Sequence, residues 1–131
     1  MAQSPALQRI DALSGVDARL EALDKLETLV EEVAAQKMRH RSNRFLKRGV
    51  RVWRKGDIVG AGQWALKASE IDDSNAKALH VLAMALERMG HLHKALVTYE
   101  RAFELDPSDP ELLINLGLTA WNLKYTEGAA K

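Results

Sequence analysis

The chain has 131 residues, of which 47% are hydrophobic and 28% are charged, and its formal net charge at pH 7 is +1. These proportions fit one globular domain and exclude a disordered or membrane-embedded chain. The absence of cysteine excludes a disulfide framework, a thiol nucleophile and a thiolate metal site. Because residues 1–13 lack the pattern of a secretory leader and no long apolar run occurs, we expect a cytoplasmic protein without membrane segments.

Residues 1–41 are predicted to form an N-terminal helical segment. Ser4-Pro5 is typical of a helix start, and Ser14-Gly15 predicts that this first helix ends there. In the helix that follows, apolar residues recur at three- and four-residue spacing and form what we call the apolar stripe: Val16, Leu20, Leu23, Leu26, Val30 and Val33.

Two roles suit the apolar stripe. It can cover the open side of a following helical array, or residues 16–36 can pair with a second copy to form a homodimer. Glu27 and Lys37 interrupt a strict seven-residue repeat, which favours the intrachain cap. We expect the helix to break at Arg41-Ser42-Asn43 and to restart with Ser42 as its cap.

A strongly basic run occupies residues 37–55, which contain nine Lys and Arg residues and no acid. With Trp53 beside it, such a run could contact phosphates and stack on a base. On a helix, Arg41, Arg44, Lys47 and Arg48 are predicted to share one side and form a basic patch, whereas Arg51 and Arg54 turn away. Because the charges spread around the helix in this way, nucleic-acid binding is the less favoured alternative.

An internal repeat of 34 residues runs from residue 42 to the end. The middle unit has the three- and four-residue apolar spacing of two helices, with Gly90 at the turn between them. Similar residues recur in register: Phe45, Leu79 and Leu113; Gly49, Ala83 and Gly117; Ala61, Ala95 and Ala129; Ala68 and Ala102; and Gly56 and Gly90.

These columns resemble the tetratricopeptide (TPR) repeat. The middle unit carries the fullest match, in Leu79, Leu82-Ala83, Leu86, Gly90, Ala95, Tyr99, Ala102 and Pro107. The resemblance implies an all-α TPR helix-turn-helix solenoid over residues 42–131, with repeats at 42–75, 76–109 and 110–131. The first repeat departs from the pattern at Arg48, Ala65 and Asp73. The third has Ala120 in place of a large residue and stops partway into its second helix, which indicates a piece of a longer protein.

In TPR proteins the first helix of each repeat lines a concave groove. Carried over to this sequence, the resemblance implies a client-binding groove, here called the predicted groove: Leu46, Val50, Trp53 and Arg54 in the first repeat; His80, Met84, Glu87 and Arg88 in the second; and Ile114, Leu118, Trp121 and Asn122 in the third. Its central residues are aliphatic, methionine or tryptophan, which suits an amphipathic or apolar helix of a client protein. Leu46 and Val50 stand where heat-shock-protein clamps have lysine and asparagine, so such a clamp is not expected.

No residues point to catalysis, a cofactor or a metal. His91 and His93 flank a turn without a nearby third ligand, and no phosphate loop or nucleophile motif occurs. We therefore expect a non-catalytic protein-interaction module. Asn115-Leu116-Gly117 is similar to the repeat phrase of protein O-glycosyltransferases, which implies a substrate-recruiting arm of a larger enzyme, with flagellin as a candidate client. A secretion or assembly chaperone of the TPR type is the non-enzyme alternative.

Overall fold

The structure is a computed structural model that describes the backbone of residues 5–130 and the side chains of residues 15–126. These residues form five helices and no strand, as the sequence predicted: α1 (Pro5–Arg54), α2 (Ile58–Ile71), α3 (Ala76–Arg88), α4 (Leu92–Leu105) and α5 (Pro110–Ala130). The chain divides into two units, Met1–Lys37 and Met38–Lys131.

Helix α1 continues through two positions where the sequence predicted a break. Both Ser14-Gly15 and Ser42 lie inside the helix, so both predicted breaks are wrong. One glycine within an exposed helix costs only about 1 kcal/mol relative to alanine, and good helix formers on either side compensate for this. Helix α1 includes Pro5, and Ser4, the predicted helix start, lies outside the described residues.

The unit Met1–Lys37 presents the apolar stripe to solvent. All six residues of the stripe have exposed fractions between 49% and 66%. Isolated helices gain most of their stability from burying an apolar face, so this surface is suited to a further interaction.

In the unit Met38–Lys131, the end of α1 and helix α2 form the first hairpin. Gly56 has a φ of +87°, and its N–H donates to the Trp53 carbonyl at 2.9 Å. The N–H of Asp57 donates to the Val52 carbonyl at 2.9 Å, which completes a Schellman turn. The Asp57 carboxylate then caps α2 by accepting from the Gly60 N–H at 2.8 Å. A side chain at Gly49 would lie 3.2 Å from the Ala61 carbonyl oxygen, so glycine is what allows the helices to approach here.

Aromatic residues explain why the first repeat departs from the TPR pattern. TPR repeats usually have an aromatic residue at the position of Ala65. Here the preceding residue, Trp64, supplies an aromatic ring, which stacks on Phe45 with a centroid separation of 5.6 Å. The guanidinium of Arg48 lies 5.3 Å from the Trp64 ring centroid, and the Lys67 ammonium lies 4.7 Å from that of Phe45. Position 48 is usually leucine in TPR repeats. Arginine suits this position because its guanidinium makes cation–π contacts with both rings.

Helices α3 and α4 form the second hairpin and hold the main core. Gly90, with a φ of +87°, makes the same type of turn as Gly56. The core contains the predicted inner-face residues of both helices, with Leu112 of α5 added: Leu79, Ala83, Ala95, Tyr99, Ala102 and Leu112. Tyr99 is fully buried and its hydroxyl donates to the Glu87 carboxylate at 2.9 Å. Small alanines bring the backbones together, and the tyrosine ring fills the remaining space.

Ser42 joins the first hairpin to the second instead of capping a helix. Its side chain is fully buried, and its hydroxyl donates to the Ala68 carbonyl at 2.7 Å. The same hydroxyl accepts from the Asn75 side-chain amide at 2.8 Å, while the Asn75 oxygen caps α3 through the Ala78 N–H at 3.1 Å. One buried hydroxyl therefore connects α1, α2 and the start of α3.

Ser42→Ala should lower the free energy of unfolding by about 1–3 kcal/mol, because the half-buried Asn75 amide and the Ala68 carbonyl would each lose a partner. Urea unfolding followed by circular dichroism measures the change. Ser69→Ala is the matched control, since Ser69 bonds only to the carbonyl of Leu66 in its own helix. A loss for Ser42→Ala no larger than that for the control would contradict the bridging role.

Helix α5 differs from the predicted third repeat, because it continues to Ala130 without a turn. The residue 34 positions after Gly90 is Lys124, and lysine disfavours the positive φ that Gly56 and Gly90 adopt. Without a second helix to cover it, Leu113 is 53% exposed although its repeat position predicted an inner face. Among the α5 residues up to Thr126, whose side chains are described, Leu112 and Thr119 are buried.

Candidate functional site

A basic cavity opens beside the end of α1 and the start of α3, within the unit Met38–Lys131. Its volume is about 1020 Å³, and it is here called the cationic cavity. Leu46 and Val50 contribute apolar surface, and His40 and Asn43 contribute polar groups. The remaining lining residues are all cations: Arg44, Lys47, Arg51, Arg54, Lys55 and Lys77.

The first-repeat members of the predicted groove are partly committed to packing. Leu46 is 8% exposed and packs with Ala68 and Ala78, while Val50 packs against that cluster from its edge. Trp53 is half-buried, and the Arg88 guanidinium lies 5.4 Å from its ring centroid. Two predicted groove residues from different repeats are therefore in contact.

In the second repeat, His80 links α3 to α5. It is 9% exposed, and its Nε2 lies 2.9 Å from the Asn115 amide nitrogen. Its Nδ1 lies 3.8 Å from the Asp109 carboxylate, which also caps α5. The Tyr99 ring packs against the imidazole in an edge geometry, with centroids 5.9 Å apart. These contacts give His80 a structural role, and Met84, the other apolar member of the predicted groove on this helix, is half-buried.

The third-repeat members of the predicted groove lie on the surface of α5. Ile114, Leu118 and Trp121 have exposed fractions of 59%, 54% and 66%, and Asn122 is also exposed. Tyr125, which the sequence analysis did not select, is 71% exposed. Residues 114, 118, 121 and 125 follow helical spacing, so they form one apolar face. The helical spacing of these four residues was visible in the sequence. Tyr125 was not selected because the repeat register places the turn of the third unit near residue 124.

The structure groups the basic residues differently from the predicted patch. Arg44 and Lys47 line the cationic cavity together with Arg51 and Arg54, so the expectation that the last two turn away is wrong. Residues 44, 47, 51 and 54 repeat at three- and four-residue spacing and therefore share a helical face. Arg48 lies over the Phe45 and Trp64 rings, and Arg41 is exposed outside the cavity lining.

Lys77 is the cavity residue that the sequence analysis missed entirely. It follows Asn43 by 34 residues, so the two occupy the same position in successive repeats, and both line the cavity. The repeat register could have identified it, because equivalent positions on successive first helices face the same side.

Burial, reinforced by the hydrogen bond to Glu87, raises the pKa of the Tyr99 phenol above its ordinary value, so this hydroxyl remains protonated. No cluster of His, Asp or Glu within the described residues could hold a metal ion. Among those same residues, no helix is long and apolar enough to cross a membrane.

Comparisons with known proteins agree with this architecture. Residues 76–119 match the tetratricopeptide repeat family model TPR_14. Protein FlbA of Caulobacter vibrioides is 33% identical over 118 residues, an alignment that covers 89% of this chain but only 19% of FlbA. The solved first TPR of Spaghetti (RPAP3), bound to the HSP90 peptide SRMEEVD, has a TM-score of 0.57 and 19% identity, covering 70% of this chain and 94% of that one.

At that level of identity, the solved structure shows a shared fold. The family match falls on α3, α4 and the first half of α5, where the 34-residue columns are most complete. Residues 76–119 therefore match the tetratricopeptide repeat family, and the chain shares the fold of a TPR domain. Domains of that family generally serve as non-catalytic protein-interaction modules.

Proposed function

We propose that this chain docks a helical segment of a client protein on the exposed faces of α1, α3 and α5, without catalysing a reaction itself. The observation that carries the proposal is the apolar face of α5, formed by Ile114, Leu118, Trp121 and Tyr125. A contiguous apolar surface on a helix is suited to an amphipathic partner helix, which buries it through anchors at the same spacing. Trp121 is the strongest candidate anchor because interface energy concentrates in large aromatic side chains.

For the larger protein, we propose a cytoplasmic substrate-recruiting arm that presents flagellin to a glycosyltransferase. The chain spans 19% of the length of FlbA, which is consistent with a docking segment attached to other domains. The Asn115-Leu116-Gly117 phrase supports the transferase assignment, and the amphipathic terminal helices of flagellin suit the proposed surface. A secretion or assembly chaperone would use the same surface without any transfer step.

Isothermal titration of the chain with monomeric flagellin from the same organism tests the proposed client. We expect binding to flagellin that retains its terminal helices, and none to the matched form from which those helices are removed. Equal binding to both forms, or to neither, would contradict the proposal. Incubating the full-length protein with flagellin and a nucleotide sugar distinguishes the two parent roles, because only a transferase increases the mass of flagellin.

We also propose homodimerisation through residues 16–36, because the apolar stripe is exposed in the described structure. Leu23→Asp should yield a monomer, whereas the unchanged chain should have twice the monomer mass in light scattering coupled to size-exclusion chromatography. Thr28→Asp is the matched control, since Thr28 is exposed but is not part of the stripe. A monomeric unchanged chain would rule this dimer out.

A further inference from the structure

We propose that the cationic cavity binds the acidic face of an amphipathic helix in a protein partner. This inference rests on the proposed docking function, since it assigns a charge pattern to the docked segment. Sequence analysis alone favoured a groove with an apolar centre, because Leu46 and Val50 stand at its first-repeat positions. In the structure these two residues line a cavity whose rim is basic.

The cavity carries positive charge that its own lining does not balance. Six of the ten lining residues are lysine or arginine, and none is an acid. Within Met38–Lys131, the described structure gives none of these six an ion pair. Like charges three or four residues apart on a helix repel one another, so carboxylates brought by a partner would remove an existing repulsion.

The spacing of the cations fits a helical partner. Arg44, Lys47, Arg51 and Arg54 extend along one face of α1 for about 15 Å, at 1.5 Å per residue. Lys77 contributes a cation from α3, beyond the α1 face. A partner helix with glutamates at three- and four-residue spacing would place successive carboxylates against this row.

Apolar surface within the cavity favours a protein over a nucleic acid. Val50 is half-buried at the edge of a core cluster and offers contact to an aliphatic side chain of the partner. Single-stranded nucleic acids bind through a basic groove together with aromatic rings on which bases stack. No Phe, Tyr or Trp lines the cavity, where His40 supplies the single ring, and the nearby Trp53 ring is already in contact with Arg88.

Fluorescence anisotropy of labelled helical peptides tests the proposal on the whole chain. Two peptides share one apolar face and differ only in the polar face, which carries glutamate in one and glutamine in the other. A uridine oligonucleotide serves as the third probe. We expect the acidic peptide to bind at least tenfold more tightly than the glutamine peptide at about 50 mM salt, with the difference shrinking as screening increases toward about 300 mM.

Variants locate the binding to the cavity. Arg51→Glu combined with Arg54→Glu should weaken binding of the acidic peptide at least tenfold, while the affinity for the glutamine peptide should remain nearly unchanged. Arg39→Glu combined with Arg101→Glu is the matched control, because it makes the same charge change at exposed residues outside the cavity. Circular dichroism establishes that both double variants remain folded, as expected for substitutions at exposed positions.

Each remaining outcome would overturn a specific statement. Equal affinity for the two peptides would disprove the acidic preference while leaving helix docking intact, and loss of binding to both would contradict docking as well. Tighter binding of the oligonucleotide, with the same sensitivity to Arg51→Glu and Arg54→Glu, would assign the cavity to nucleic acid instead. An equal effect of the control pair would show that overall charge, and not the cavity, controls affinity.

Discussion

Tyr99→Ala should lower the free energy of unfolding of this chain by about 3–5 kcal/mol, the range for removing a large aromatic side chain from a packed core. Tyr99 is fully buried, and the alanines of its cluster, Ala83, Ala95 and Ala102, are too short to fill the space that its ring would leave. Chemical denaturation followed by circular dichroism measures the loss. A decrease below about 1 kcal/mol would contradict the assignment of Tyr99 as the centre of the core.

Tyr99→Phe separates the ring from the hydroxyl. Losing the bond to Glu87 should cost about 0.5–1.5 kcal/mol near neutral pH. Because the pKa of the folded-state phenol is raised, its stabilising contribution is complete below the unfolded-state pKa of about 10 and decreases as pH rises above it. The unchanged protein should therefore lose stability above about pH 10 more steeply than Tyr99→Phe. Parallel pH profiles would contradict this account.

Trp121→Ala should weaken client binding by about 2 kcal/mol or more, which is roughly a thirtyfold increase in Kd. Trp121 is 66% exposed, so its removal should change affinity without a matching loss of stability. Titration with flagellin, alongside thermal unfolding, measures both effects. Val97→Ala is the control, because Val97 is similarly exposed at 65% but lies on α4, outside the predicted groove.

Trp53→Ala tests the other end of the predicted groove. Its effect should include the loss of the Arg88 contact, so a small decrease in stability is expected together with weaker binding. Unchanged affinity in both tryptophan variants would contradict docking on these helices.

The hairpins were predictable because local signals and long-range columns agreed. Gly56 and Gly90 mark turns that require a positive φ, and Ala95, Tyr99 and Ala102 recur on one face of α4. Packing of the second hairpin follows from this pattern, since small residues set the helix separation and the tyrosine fills the core. The sequence was sufficient to predict the hairpins because each of these glycine, alanine and tyrosine residues has one main structural role.

Other features depended on contacts between elements that no short pattern shows. Ser42 has the residue type of a helix cap, yet its hydroxyl is bonded across to Ala68 and Asn75. From the sequence alone, Arg48 would be interpreted as a charged surface residue. In the structure it lies beside the stacked Phe45 and Trp64 rings. Local rules describe what a side chain prefers, and packing decides which partner it meets.

The candidate site was predicted in part. Ile114, Leu118 and Trp121, which the repeat register assigned to the predicted groove, are exposed on α5, although the second helix of that repeat does not form. The cationic cavity was missed because Arg51 and Arg54 were assigned to a different helical face from Arg44 and Lys47. Another cation of the cavity, Lys77, lies in the second repeat, and only the folded hairpins bring it to the same cavity.

Site-specific photocrosslinking tests the central claim most directly. A photoreactive amino acid at position 118, where Leu118 is 54% exposed on α5, should crosslink to a terminal helix of flagellin within the complex. The same group at position 97 should give little product, because Val97 lies on α4 away from the proposed surface. A complex that forms but crosslinks equally from both positions, or only from position 97, would contradict docking on α5.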